Sequence, residues 1–415
     1  MAKSKAMKSM FLKNEIRIKF KSLTLISFWI FGVFPYLSNA QNADSTEAVT
    51  EKKFHVGGYL KNMETISFQN LNQVFLDNLV HNRLNFKFQA SDKVVAVLEM
   101  RNRLMFGNQV NSTPNYGDVI EKDNGFLDMN WSVLNKPGMV FNTTIDRLYL
   151  DFLGKKKELR IGRQRINWGI TMAWNPNDWF NTYNYFDFDY EERPGSDAIR
   201  ARMYFKDGMS SLDVAANVNS AHQNVTAAMY KFNKSGYDFQ ILAGKYFKDL
   251  ALGTGWAGNI GGAGFKGELS YFYPINDQFS KKAFVGTSSL DYSFKNSLYL
   301  SGAWLYSSLG INQKLDLGDS GIGLNAFGTL TAKSLFPSKN TSMLVGSYPV
   351  SPLLNISLAG IYGYGINLAF ISPSISYSLK ENVDLYLIGQ SFFLQQQDKL
   401  KNLSNGAYFR IKWSF

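Results

Sequence analysis

The chain ends on AYFRIKWSF, in which Ala407, Phe409, Ile411, Trp413 and Phe415 alternate with Tyr408, Arg410, Lys412 and Ser414. A period of two is the signature of an extended strand with two unlike faces. Here one face is wholly apolar and the other wholly polar. The pattern recurs upstream. RLNFKFQA separates Leu84, Phe86, Phe88 and Ala90 from Arg83, Asn85, Lys87 and Gln89. VVAVLEMRNRLMF sets Val94, Ala96, Leu98, Met100 and Leu104 against Glu99, Arg101 and Arg103. DRLYLDF opposes Leu148, Leu150 and Phe152 to Arg147, Tyr149 and Asp151, and AIRARMYF opposes Ile199, Ala201, Met203 and Phe205 to Arg200, Arg202 and Tyr204. The polar faces are too charged to form the core of a water-soluble domain, so the usual rule of burial is inverted. Apolar residues facing lipid around a water-filled lumen resolve the inversion. Backbone groups in lipid must all be paired, which requires the sheet to close on itself.

Eighteen segments between residues 54 and 415 carry this pattern, an even number that places both ends of the chain on one side. The two weakest are 249–257 and 341–350, so sixteen is the alternative count. The expected architecture is a transmembrane antiparallel β-barrel of about 18 strands. Tight turns containing GKK, KDG, NKSG, KN, VSP and KEN fall on one side. Longer connections, 106–142, 168–195 and 309–340, fall on the other, matching short periplasmic turns and longer external loops. The stretch LNAFGTLTAKSLF in the last of these is compatible with a short amphipathic helix that caps the pore or meets a partner.

The amino terminus reads as an export signal. Lys3, Lys5, Lys8, Lys13, Arg17, Lys19 and Lys21 precede a 13-residue apolar run, Ser22 to Phe34, and then the small residues Ser38 and Ala40. Cleavage after Ala40 would start the mature chain at Gln41, with 41–52 a polar leader and 53–415 one barrel domain; a single-span anchor is the alternative. Removal of residues 1–40 takes seven bases and one acid, leaving 37 bases against 32 acids and a charge of +5 in place of +11. The basic balance is therefore largely a property of the targeting segment and points to no nucleic-acid partner. The chain has no cysteine, which excludes disulfides and thiolate metal sites. No cofactor or metal is implied.

Enzymatic readings find little support. The three histidines, His55, His81 and His222, lie in no motif of an outer-membrane phospholipase or aspartyl protease. LAGKYF lacks the glycine and the hydroxyl residue of a phosphate-binding loop. The acidic runs DFDYEE and DLGDS read as solvated loop charge rather than cation sites.

Charge and aromatic mass concentrate in RIGRQRINWGITMAWNPNDWFN, residues 160–181. The connection from 168 to 195 holds Trp168, Trp174 and Trp179, six further aromatics, and the acids Asp178, Asp187, Asp189, Glu191 and Glu192. Such a loop makes a poor solvent-exposed tip, and the nearest surface to cover it is the barrel interior. It is expected to fold inward and narrow the pore against a basic wall. The candidate lining residues are Arg101, Arg103, Arg147, Arg160, Arg163, Arg165, Trp168, Trp174, Asp178, Trp179, Arg193, Asp197, Arg200 and Arg202. A ring of arginines favours anions, and acids across the gap would orient dipolar solutes. Arg163 and Arg165 share parity with Leu159 and Ile161, so they reach the lumen only if the strand bulges near Gly162 or has left the membrane. The alternative is that Arg200, Arg202, Asp178 and Asp197 form salt bridges that hold a plug.

Two resemblances follow from these residues. The terminal strand, through Tyr408, Trp413 and Phe415, resembles the signal by which the outer-membrane barrel-assembly machinery recognises its substrates. The run GRQRINWGITMAWNPNDWFN, followed by EERPGSDAIRARMYF, resembles porin-like outer-membrane proteins of the Bacteroidota and, more loosely, the alginate-export and phosphate-selective porin superfamily. SPLLNISLAGIY through FISPSISYSLKENVDLYLIGQ is similar to the same proteins. The resemblance implies a single-chain porin-like barrel, with Gly162, Arg163, Gln164, Arg165, Trp168, Asn175, Pro176, Asp178, Arg193, Pro194, Gly195 and Asp197 structural or pore-lining. The expected function is diffusion of small polar, anionic or mixed-charge solutes across the outer membrane of a Gram-negative cell, with lipid and lipopolysaccharide as surroundings and homo-oligomers or complex partners allowed. The alternative is a plugged barrel serving as a subunit of an assembly, secretion or uptake complex.

Overall fold

The computed structural model describes residues 53–182, 192–275, 281–314, 330–396 and 399–415. The strands are β1 (Phe54–Phe68), β2 (Val74–Ser91), β3 (Val94–Gly107), β4 (Asn130–Lys136), β5 (Met139–Leu153), β6 (Lys157–Gln164) and β7 (Ser196–Tyr204). They continue as β8 (Ser211–Val218), β9 (Asn224–Lys234), β10 (Tyr237–Tyr246), β11 (Asp249–Ile260), β12 (Ala263–Pro274) and β13 (Ala283–Ser293). The series ends with β14 (Tyr299–Ser307), β15 (Asn340–Ser351), β16 (Leu354–Tyr364), β17 (Leu368–Lys380), β18 (Val383–Gln396) and β19 (Lys399–Ser414). All belong to one antiparallel sheet that closes where β1 meets β19, with Tyr59 opposite Ser414 through to Phe68 opposite Asn405. The last residue completes the seam: Gly58 and Phe415 exchange backbone hydrogen bonds of 2.9 and 3.0 Å. No lipid-facing edge is left along this seam, as the bilayer demands.

Eighteen of these strands run round the barrel and coincide with the eighteen expected segments, including β11 and β15, which rules out sixteen. The addition is β4, inside a connection read as loop. Its cause lies next door. β6 stops at Gln164, so only residues 148–153 of β5 pair with it, and the upper edge of β5 would be orphaned. β4 takes that edge, from Asn130 opposite Thr144 to Lys136 opposite Met139. Two short helices, α1 (Asn108–Ser112) and α2 (Tyr116–Ile120), precede it. Val110, Tyr116 and Ile120 pack on Leu79, Met105 and Val140, inward positions of β2, β3 and β5, so this connection also folds into the lumen.

The inversion read from the sequence is realised. Leu148, Leu150 and Phe152 of β5 are 43%, 45% and 38% exposed on the outer face, whereas Arg147 and Asp151 between them are buried. A polar row interrupts the outer face across four strands. Asn62 donates to Asn78 (3.1 Å), Asn78 to Glu64 (2.7 Å), Asn102 to Asn82 (3.2 Å) and Thr143 to Asn102 (2.9 Å). Each group thereby finds a partner where water is scarce.

Residues 1–52, which contain the expected signal and leader, lie outside the described residues, as does the first part of LNAFGTLTAKSLF, residues 324–329. The described end of that stretch is not helical. Residues 330–338 form turns around a bridge between Thr331 and Ser334, packed on the inner wall through Ala332, Leu335 and Phe336.

Candidate functional site

The chain leaves β6 at Gln164, whose amide donates to the carbonyls of Ala198 (3.0 Å) and Arg160 (3.2 Å). From there it turns into the barrel. A neck closes behind it: Ile166 N–H donates to Asn181 Oδ1 (3.0 Å), and Asn181 Nδ2 donates to the carbonyl of Pro194 (2.7 Å).

Small inward residues receive the tryptophans. Ala198, Ala215, Ala227, Ala251 and Ala283 form one buried cluster with Trp168, Trp179 and Phe180. The ring of Trp168 lies edge-on to Phe180 at 4.9 Å and to Trp179 at 6.4 Å. Both indole nitrogens find acceptors on the wall, Trp168 on Asp213 (3.3 Å) and Trp179 on Ser270 (3.1 Å), as buried Trp N–H groups require. Gly253 is needed at its place: a Cβ there would stand 2.7 Å from Asn177 Oδ1 and 3.1 Å from the Trp179 ring. Trp174 continues the layer, packing edge-on to Phe336 at 6.2 Å, where residues 330–338 take over covering the wall.

Glu268 anchors the loop. It is fully buried on the inner face of β12, and its carboxylate accepts the backbone N–H groups of Ile170 (2.5 Å), Thr171 (2.8 Å) and Asn177 (2.9 Å). Three converging donors stabilise a buried carboxylate that would otherwise be too costly to keep. Gln240 on β10 adds a bond to the Trp168 carbonyl (2.8 Å). Neither residue was singled out from the sequence; the available signal was an acid and an amide at inward parity on strands remote from the loop.

The expected arginines separate into two groups. Arg163 does not face the lumen. Gly162 adopts a φ of +122°, yet Arg163 stays at the parity of the outward Ile161 and is buried at the partner exchange of β5. Its guanidinium binds Asp197 and Asp123 (both 2.7 Å) and donates to the carbonyls of Leu127 and Ile145, groups left without strand partners there. Burial raises the pKa of Asp123, but Arg163 and the N–H groups of Gly125 and Met129 outweigh it and hold this carboxyl below the ordinary range. Arg163 and Asp197 are thus a wall staple, correcting their assignment to the pore lining. Arg200 and Arg202 do point inward, as parity predicts, but both are bound to Asp213, at 2.5 and 3.0 Å. Arg160 is clamped by Asp151 (2.5 Å) over the Tyr149 ring. Arg147 donates to the carbonyls of Asp146 (2.8 Å) and Arg193 (2.6 Å), and Arg193 lies 3.5 Å from Asp178. Arg165 is half-buried just beyond β6. Trp168, Trp174, Trp179 and Asp178 are all at most 3% exposed, so they pack beneath the inner surface rather than line water. Residues 183–191, with their acids and aromatics, lie outside the described residues.

The second group lies on the inner face of β19, β1, β2 and β3, away from the wall that residues 165–182 cover. Arg101 and Arg103 share it with Lys61, Arg83, Arg410 and Lys412 at inward positions. Arg83 binds Glu99 (2.5 Å) and Asp146 (2.6 Å), and Arg101 lies 3.2 Å from Asp146. Lys412 sits over Tyr59 at 4.8 Å and Arg410 over Tyr386 at 4.0 Å, geometry that keeps long cationic side chains against the wall. Tyr408 also points inward, donating to Gln390 (3.3 Å), while Trp413 and Phe415 face outward, 5.2 Å apart, beside the seam.

A closed, 18-strand antiparallel barrel with apolar exterior and charged interior is the fold of outer-membrane porins. Solved structures agree. The chain is similar to Acinetobacter baumannii OccAB4, with a TM-score of 0.56 and 10% identity, covering 88% of this chain and 99% of that one. It is similar to Pseudomonas aeruginosa OpdQ (TM-score 0.55, 8% identity, 88% and 99% covered) and to Pseudomonas aeruginosa OccK8 (TM-score 0.53, 12% identity, 87% and 98% covered). No protein-family model and no curated protein sequence matches the chain.

Proposed function

We propose that this protein is a porin-like diffusion channel of the outer membrane, passing small polar solutes with a preference for anionic or mixed-charge ones. The observation that carries the reading is the one-sided lumen. Loop 165–182 lines the β7–β13 side with buried aromatics, and the inner wall of β19 and β1–β3 holds six bases against Glu99, with Asp146 of β5 beside them; Arg103 and Lys412 are half-buried, while Lys61, Arg83, Arg101 and Arg410 act on the lumen through their charge from within the wall. Net positive charge in a narrow, low-dielectric passage concentrates anions and repels cations. The Bacteroidota resemblance of residues 162–181, export by residues 1–40 and recognition of the terminal strand by the assembly machinery accord with this role. Reversal potentials of the purified protein in a planar bilayer under a salt gradient test it. Anion-leaning reversal that shifts toward zero in Lys61→Gln/Arg103→Gln/Lys412→Gln supports the channel; a cation-selective pore overturns the charge preference.

The plugged-scaffold reading is favoured by a different observation, the depth to which residues 165–182 and 330–338 are buried in the lumen. Absence of any conductance, together with stable co-purifying partners, would decide for it.

A further inference from the structure

On the outer face, at the end of the barrel that carries the longer connections, β12–β15 bring cations over aromatic rings. Phe272 pairs with Ala283, which sets outward-facing Tyr273 opposite Lys282; the Lys282 Nζ stands 4.8 Å from the ring centroid. Lys339 repeats the arrangement over Tyr306 at 5.9 Å. Phe284 lies between the two pairs, 6.0 Å from Tyr306, and both Tyr273 (46%) and Phe284 (38%) are exposed. The inward neighbours Phe272, Ala283 and Leu305 are fully buried, which fixes the side on which the patch lies. The acids of this sector avoid it. Asp238, Asp249, Glu268 and Asp291, the acids of β9–β15 among the described residues, are all at inward positions.

Tyrosines on the outside of a barrel sit at the headgroup level. An ammonium held over a tyrosine face keeps its remaining N–H donors available to a phosphate oxygen, and among the described residues no carboxylate of these strands shares that face. We propose that Lys282 and Lys339, on their tyrosine platforms, form a site for the phosphate headgroup of a lipopolysaccharide-type lipid in the outer leaflet, with Phe284 against its first acyl carbons. The inference rests on the outer-membrane reading and is independent of whether the pore is open.

Native mass spectrometry of the full-length protein in detergent, titrated with bisphosphorylated or dephosphorylated lipid A, tests the site. Lys282→Ala/Lys339→Ala should lose bisphosphorylated lipid at least about tenfold in apparent affinity, as two charge-assisted contacts imply. Lys282→Arg/Lys339→Arg should retain it, showing that the barrel is intact, and Lys206→Ala/Lys234→Ala at the opposite end should leave it unchanged. Undiminished binding by the double alanine variant overturns the proposal. So does equal binding of the dephosphorylated lipid, and so does competition by inorganic phosphate at equal concentration, which would mark a free-anion site. Conductance of the same variants reports separately on the channel reading.

Discussion

Glu268 accepts the backbone N–H of Asn177 at 2.9 Å across 91 residues of sequence, and with Ile170 and Thr171 this makes one side chain the anchor of the inward loop. Hydrogen bonds to a charged acceptor contribute about 1.5–3 kcal/mol each. Glu268→Ala should therefore release residues 170–177 from β12. The expected outcomes are larger single-channel conductance and cleavage within 165–182 by an added protease. Unchanged conductance with intact folding would show that this loop does not set the constriction.

Trp179 fills the space above Gly253 and carries its N–H to Ser270. Trp179→Ala removes the ring and leaves a cavity beside Ser270, at a cost of about 3–5 kcal/mol. Gly253→Val attacks the same contact from the wall and costs about 1–3 kcal/mol through overpacking. Urea midpoints of the refolded barrel in detergent measure both. Because the two residues touch, the double variant should lose less than the sum of the single losses.

The staple at Arg163 makes a different demand. Its guanidinium meets two carboxylates and two carbonyls where β5 changes partner from β6 to β4. Arg163→Ala leaves Asp123 and Asp197 buried without their cation, a change of about 3–5 kcal/mol. Arg163→Lys should restore little, since a single ammonium cannot span that fork of acceptors. Hydrogen exchange should show faster exchange confined to residues 121–136 and the upper part of β6, with the remaining strands unaffected.

The barrel itself was legible because a strand's two faces are written in a two-residue period; hence Leu148, Leu150 and Phe152 declare the lipid side without any partner being known. The inward course of 168–182 was legible for a related reason, since Trp168, Trp174 and Trp179 need a surface to cover. What escaped was pairing between distant segments. β4 exists because β6 is short, and no local pattern in NWSVLNK announces that. Asp123 and Asp197 lie 40 and 34 residues from Arg163, so its sequence parity showed only that it was out of place. Asp213 likewise binds both Arg200 and Arg202 from the next strand, and two cations expected to face the solute are instead committed to the wall.

Asp178 gives the loop a pH dependence. Burial pushes its carboxyl up from the ordinary 3.8 to about 8, against the opposing pull of Arg193 at 3.5 Å. Between these two values the folded protein keeps a proton that the unfolded chain has released. Stability therefore falls as pH rises through that window and levels off above the upper value. Asp178→Asn, which mimics the protonated form, should flatten the slope and make the variant more stable than the parent at the alkaline end of the window, while the two coincide near its acidic end. Urea midpoints of parent and variant, measured across that range, check the sign. A parent that gains stability relative to Asp178→Asn as pH rises would mean that Arg193 outweighs burial and that the pair is ionised in the folded barrel.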